Sequence, residues 1–145
     1  MSLATWESNG WVVGHQSTRQ EIGDLLNLTK RDLADARTEG LSADWRFNIA
    51  YNAGLQAATA ALAAAGYRAA REAHHFRILQ SLRFTIGADA ATLVQLDQFR
   101  KKRNIGGYER AGAVSELEVQ EMLVLAERIH TEVITWLQCN RPALL

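Results

Sequence analysis

Residues 42–66 read SADWRFNIAYNAGLQAATAALAAAG, and this stretch decides the fold. Its bulk is supplied by Trp45, Ile49, Leu55 and Leu62. Most other positions are alanine, the residue with the highest helix propensity, and Gly54 lies among them. Small side chains let a neighbouring helix approach closely. The stretch therefore predicts a long helix at the centre of a helical bundle, or one that faces a dimer partner.

Helix signals continue on both sides of this stretch. Thr18 with Glu21, and Ser115 with Glu118, have the spacing of a capping box. Glycine stands where three apolar stripes stop, at Gly40, Gly66 and Gly87. The helices predicted from these signals cover about residues 18–39, 42–65, 70–86, 89–103 and 115–140. We expect an all-α fold, an antiparallel bundle of four long helices plus one shorter helix.

Length and composition set the limits on organisation. The 145 residues predict a single domain, 1–145, with residues 1–16 as an irregular arm whose tryptophans dock on the body. The formal net charge is zero, so any attraction to nucleic acid must be local. The single cysteine, Cys139, excludes an internal disulfide and a multi-cysteine zinc site. Because no segment is typical of a secretory signal or a membrane span, we predict a cytoplasmic protein with no membrane association.

An arginine occupies a position on the fourth predicted helix where a core residue is expected. Leu93, Leu96 and Phe99 share one helical face, and Arg103 is the next residue on it. A guanidinium on such a stripe needs a partner, or it faces another subunit or a ligand. The alternative is a last-turn cation that complements the helix dipole and packs its stem on Phe99.

The densest positive charge of the chain surrounds this arginine. Arg100, Lys101, Lys102 and Arg110 are the predicted nucleic-acid-binding residues. Tyr108 lies among them and could stack on a base. The alternative is a solvated charged face, partly neutralised by Glu109.

A metal site is the third possibility. Glu72 and His75, and likewise Glu127 and His130, have the Glu-x-x-His spacing of di-metal carboxylate bundles. However, the first pair stands at the very start of its helix, and Glu127 lies at the edge of its apolar stripe. We predict no metal site and no cofactor, and we keep the di-metal bundle as the least favoured hypothesis.

Three parts of the chain resemble HEPN domains. Residues 49–67 resemble the long alanine-rich HEPN helix that often ends in a Gly-Tyr turn, and residues 74–80 resemble the helix that follows it. Arg103 and Asn104, before the last long helix, are similar to the start of the HEPN signature, in which a short spacer leads to histidine. Here Tyr108 stands at the histidine position, so the signature departs from the family pattern.

The resemblance to HEPN domains implies a function that the composition of the chain does not indicate. Many HEPN proteins are homodimeric, metal-independent ribonucleases or toxins, often with a small nucleotidyltransferase as partner protein. It implies catalytic positions at Arg103, Asn104 and Tyr108, although tyrosine, with an ordinary pKa near 10, is a poorer general base than histidine at neutral pH. The leading hypothesis is therefore a homodimer that binds RNA or a nucleotide, with metal-independent RNA cleavage as its candidate activity. The second is a catalytically inactive interaction module of the antitoxin or scaffold type.

Overall fold

The structure, a computed structural model, describes the backbone of residues 1–106 and 114–145 and the side chains of residues 1–103 and 114–145. Within these residues, the α-helices are α1 (Leu3–Ser8), α2 (Arg19–Asp35), α3 (Ala43–Ala64), α4 (His74–Gln80), α5 (Ala90–Gly106) and α6 (Glu116–Asn140). Two short strands, β1 (Val12–Gly14) and β2 (Tyr67–Ala69), and the 3-10 turns Ser81–Arg83 and Pro142–Leu144 complete the described elements. The all-α fold class is thus confirmed.

Helix α3 lies at the centre, packed most extensively against α6 and α2. Twelve of its residues are buried, and eight of these twelve are alanine. A Cβ added at Gly54 would lie 3.7 Å from Ala126 Cβ and 3.7 Å from Met122 Cε, both on α6. The small side chains therefore do what the sequence predicted, since they let α3 and α6 pack closely.

Polar contacts fix the directions of the long helices. Arg46 Nη1 lies 2.6 Å from Glu116 Oε1 near the start of α3 and α6, and Arg141 Nε donates to Ala64 O at 3.1 Å where both helices end. These two helices therefore run in the same direction. Arg46 Nε also donates to Ala36 O at 3.0 Å, which joins the end of α2 to the start of α3. Consecutive helices α2 and α3 are therefore antiparallel.

The predicted helix starts are confirmed at three caps. The side chains of Thr18, Ser42 and Ser115 each accept a hydrogen bond from the backbone N–H three residues later. Ser115 and Glu118 form the complete capping box, in which each side chain bonds the other residue's backbone.

Two predicted segments differ in the structure. The predicted helix over residues 70–86 is shorter in the structure, because α4 begins only at His74 and ends at Gln80, where the 3-10 turn Ser81–Arg83 follows. The predicted irregular arm contains α1 and also β1, which pairs antiparallel with β2. Three-residue strands held by a partner far away in sequence carry no periodic signal of their own, so the sequence did not reveal them.

Two smaller predictions also need correction. Helix α5 continues to Gly106, so Asn104 belongs to the helix rather than to the following loop. Trp45 is 63% exposed and adds no bulk to the core. Within the described ranges, none of the helices combines the length and apolar character needed to cross a membrane.

Substitutions at Gly54 test the close packing of α3 on α6. We expect Gly54→Ala to raise the free energy of unfolding by about 0.5–1 kcal/mol, because the added methyl group reaches ordinary contact distance and alanine favours helix. Gly54→Leu should lower it by about 1–3 kcal/mol through overpacking. Urea denaturation measures both, and equal stability of the two variants would show that α6 does not constrain this position.

Candidate functional site

The apolar stripe that ends in Arg103 packs against α3. Leu93, Leu96 and Phe99 are buried, and the ring of Phe99 meets that of Phe47 edge-on with centroids 5.5 Å apart. Four residues further along α5, the Arg103 guanidinium carbon lies 5.0 Å from the ring centroid of Tyr51. Arg103 is in the last turn of α5, as the alternative interpretation required, but its charge is directed to an aromatic face.

Tyr51 carries a polar group into the core. Its side chain is 1% exposed, and its hydroxyl oxygen has no hydrogen-bond partner among the described residues. Burial raises the pKa of Tyr51 to about 12, although the positive charges of Arg103 and Arg100 act in the opposite direction. The phenol is therefore neutral and able to donate a hydrogen bond.

Two histidines stand beside this phenol. The His75 ring centroid lies 6.2 Å from that of Tyr51 and 5.7 Å from that of His74. They follow Ala73, whose φ of 52° is left-handed and costs roughly 1–2 kcal/mol for a residue with a Cβ. Burial lowers the pKa of His75, and the positive charges of Arg103 and Arg100 and the neighbouring His74 lower it further. His75 is therefore a neutral imidazole at neutral pH.

Most of the predicted basic cluster is neutralised by neighbouring carboxylates. Asp97 Oδ1 accepts from Arg100 Nε at 2.9 Å, and Asp97 Oδ2 lies 3.2 Å from Lys101 Nζ. Lys102 Nζ lies 3.3 Å from Glu118 Oε2. Arg103 forms no ion pair with a carboxylate among the described side chains. Among the described cations at this end of α5, Arg103 therefore differs from its three neighbours in having no carboxylate partner.

The predicted site residues have different outcomes. Arg103 lies in the cluster with Tyr51 and His75, which we name the Arg103 site. The backbone of Asn104 lies in α5, while its side chain, Tyr108 and Arg110 are outside the described residues.

Sequence reasoning missed Tyr51, which it treated as part of an alanine-rich helix, and considered His75 as a metal ligand or as part of the HEPN-like helix, not as a neighbour of Arg103. The signal available was a tyrosine among alanines on the central helix. This signal gave no indication that α4 and α5 bring His75 and Arg103 close to Tyr51.

The Glu-x-x-His pairs are used in other ways. Glu127 forms an ion pair with Arg37, and His130 is half-buried with Lys30 as the nearby charge. In the described part of the chain, no group of three or more histidine, cysteine, aspartate or glutamate side chains is arranged to hold a metal ion. The di-metal hypothesis therefore gains no support.

Comparison of the chain with protein-family models and with curated proteins found no match. The interpretation of the site rests on its own chemistry. A guanidinium held on an aromatic face, beside a neutral imidazole, can bind an anion and exchange a proton with it.

The Tyr51 hydroxyl provides a first test of this site. We expect Tyr51→Phe to raise the free energy of unfolding by about 1 kcal/mol, because it removes a buried hydroxyl that lacks a partner among the described residues. Urea denaturation measures the change. Tyr51→Leu serves as the control, since it also removes the ring beneath Arg103 and should destabilise the protein. A clear loss of stability in Tyr51→Phe would mean that the hydroxyl is already paired.

The lowered pKa of His75 predicts how stability depends on pH. The unfolded chain protonates this histidine near pH 6.5, while the folded protein does so only at lower pH. The unfolded state therefore binds more protons in that window, and the free energy of unfolding falls as pH drops below about 6.5.

We expect the free energy of unfolding of His75→Gln to fall less steeply with decreasing pH than that of the wild type. The two slopes should differ by less than about 1.4 kcal/mol per pH unit, which is the limit for one proton. His130→Gln should act in the same direction, because burial lowers the pKa of His130 too. Denaturation at a series of pH values measures both slopes. A His75→Gln slope equal to that of the wild type would show that His75 protonates equally well in the folded state.

Proposed function

We propose that the protein binds phosphate groups of RNA or of a nucleotide at the Arg103 site, and that it acts as a HEPN-like homodimer. One observation carries the proposal. Arg103 lies half-buried on the face of Tyr51, and no carboxylate among the described side chains neutralises it, whereas Arg100, Lys101 and Lys102 are all paired. A half-buried cation without a carboxylate partner among the described side chains is suited to bind an anion from solution.

The chemistry of the site favours phosphate over a simple carboxylate. A guanidinium offers two parallel N–H groups that match two oxygens of a phosphodiester. The buried Tyr51 supplies the ring face on which Arg103 lies, and the neutral His75 ring can donate to a phosphate or accept from it. Partial burial strengthens each of these contacts relative to bulk water.

RNA cleavage is the reaction we propose for this arrangement. The 2′-oxygen attacks the adjacent phosphorus and transfers its proton to the neutral imidazole of His75. Arg103 stabilises the additional negative charge on the phosphorane-like transition state. The bond from phosphorus to the 5′-oxygen breaks, and Tyr108 gives a proton to the leaving oxygen. The products are a 2′,3′-cyclic phosphate and a 5′-hydroxyl.

The homodimer is proposed through the face formed by α5 and α6. Val94 on α5 and Leu117 and Val124 on α6 are exposed apolar side chains that contact with a second copy would bury. Pairing of two copies there would place two C-terminal ends of α5 in one assembly. We place this dimer in the cytoplasm, with a small nucleotidyltransferase as a candidate partner protein.

The second candidate is a catalytically inactive interaction module of the antitoxin or scaffold type. Its support is the pairing of Arg100, Lys101 and Lys102 with Asp97 and Glu118, which weakens the positive field available to nucleic acid. The same exposed apolar face would then bind a partner protein. Co-purification of a partner, together with no binding of RNA, favours this candidate.

Replacement of Arg103 tests the proposal. We expect Arg103→Ala to weaken binding of a labelled oligouridylate by at least about tenfold, because a charge-assisted contact to phosphate is lost. The affinity of Arg103→Lys should lie between those of the wild type and Arg103→Ala, since lysine keeps the positive charge but lacks the parallel N–H groups of the guanidinium. Fluorescence anisotropy measures the affinities.

Arg128→Ala is the matched control for this experiment. It removes the same charge, but the Arg128 guanidinium bonds Thr92 Oγ1 at 2.7 Å, about 16 Å from Arg103 along α5. Equal affinities of the Arg103 and Arg128 variants would contradict a phosphate site at Arg103.

Cleavage is assayed separately, with the purified protein and oligouridylate in EDTA. We expect the wild type to produce cyclic phosphate ends, and Arg103→Ala, His75→Gln and Tyr108→Phe each to lose most of the activity, since each removes one part of the proton and charge transfer. Binding of RNA without cleavage by the wild type would reduce the proposal to a binding protein.

A further inference from the structure

Cations and aromatic rings alternate on the surface next to the Arg103 site. The Arg77 guanidinium carbon lies 3.7 Å from the ring centroid of Trp11 and 5.4 Å from that of Phe76. The Arg100 guanidinium carbon also lies near Phe76, 5.5 Å from the ring centroid. The row Trp11, Arg77, Phe76 and Arg100 is named the stacking row below.

The stacking row is continuous with the Arg103 site. Phe76 directly follows His75, whose ring lies 6.2 Å from that of Tyr51, and Tyr51 lies beneath Arg103. Arg100 is one turn before Arg103 on α5. A nucleic-acid strand with a phosphate bound at Arg103 would therefore also contact the stacking row.

The row is accessible, and one of its two cations, Arg77, has no carboxylate partner among the described side chains. Trp11, Phe76, Arg77 and Arg100 are all half-buried rather than buried. Arg77 makes no ion pair with a carboxylate among the described side chains, so its charge is compensated only by ring faces. A purely structural link between the N-terminal segment and the region after α4 requires apolar packing, which buried Trp6 and half-buried Phe84 already provide with ring centroids 5.1 Å apart. A positive charge is not needed for it.

We propose that the stacking row binds several nucleotides of single-stranded RNA that extend from the Arg103 site. Aromatic rings and guanidinium planes are the surfaces on which unpaired bases stack, and Arg77 and Arg103, which have no carboxylate partner among the described side chains, provide charges for phosphates. This inference rests on the proposed function and names its substrate class. The preferred ligand is a single strand, since the bases of a duplex are already stacked on each other.

Two probes separate the row from the Arg103 site, a labelled oligouridylate of about 12 nucleotides and the dinucleotide UpU. We expect the wild type to bind the longer strand more tightly than UpU and more tightly than a duplex of equal length. Phe76→Leu should weaken binding of the longer strand by about fivefold or more, because a stacking surface is lost, and leave UpU within about twofold. Arg103→Ala should weaken both.

Trp45→Leu is the matched aromatic control, because Trp45 is 63% exposed on α3 and lies outside the row. Its affinity for both probes should equal that of the wild type. Since Trp11 and Arg77 also hold the N-terminal segment, their variants are less suitable than Phe76→Leu. Urea denaturation must show that Phe76→Leu is folded under the binding conditions.

Ultraviolet cross-linking of the unmodified protein to the oligouridylate provides a second measurement that no folding defect affects. We expect cross-linked peptides to contain Trp11 or Phe76. Two results would overturn the stacking row alone. The first is cross-linking only at other positions. The second is equal affinity for the long strand and for UpU while Arg103→Ala still weakens binding of both. No binding of either probe by the wild type would overturn the row together with the proposed function.

Discussion

The close packing of α3 on its neighbours is the constraint on which the rest of the structure depends. Eight of the twelve buried residues of α3 are alanine, and Gly54 faces Ala126 and Met122 of α6. Dispersion contacts fall off steeply with distance, so a helix with short side chains stabilises the fold only if its partners come close. That closeness brings α2 and α6 into contact with one central helix, and it leaves little room for large groups along most of its length.

Tyr51 is an exception on this helix, and it explains why the Arg103 site lies where it does. A tyrosine in an alanine-rich segment needs space, and α4 and α5 provide this space at one end of the core. Burial of the phenol keeps it neutral, and the same surroundings keep His75 neutral while they hold the charge of Arg103 against an aromatic face. The three groups therefore differ in charge because of one shared environment, and each suits a separate step of anion chemistry.

The remaining basic residues show why a charge count from sequence is a poor guide to binding. Four cations crowd the end of α5, yet Asp97 and Glu118 pair with three of them. What distinguishes Arg103 and Arg77 is the absence of a carboxylate partner among the described side chains, together with close ring faces. An ion pair formed within the protein competes directly with a phosphate, whereas a ring contact leaves the guanidinium N–H groups available.

The sequence by itself determined the helical class, the caps at Thr18 and Ser115, the helix start near Ser42, and the stripe that ends in Arg103, because propensity, capping and periodicity act over a few neighbouring residues. Only the tertiary structure decided that Tyr51, His75 and Arg103 meet, since they come from three helices and no local pattern records their approach. It also decided the β1–β2 pairing and the broken helix before α5. Such features depend on contacts between residues distant in sequence, which become apparent only when the chain is folded.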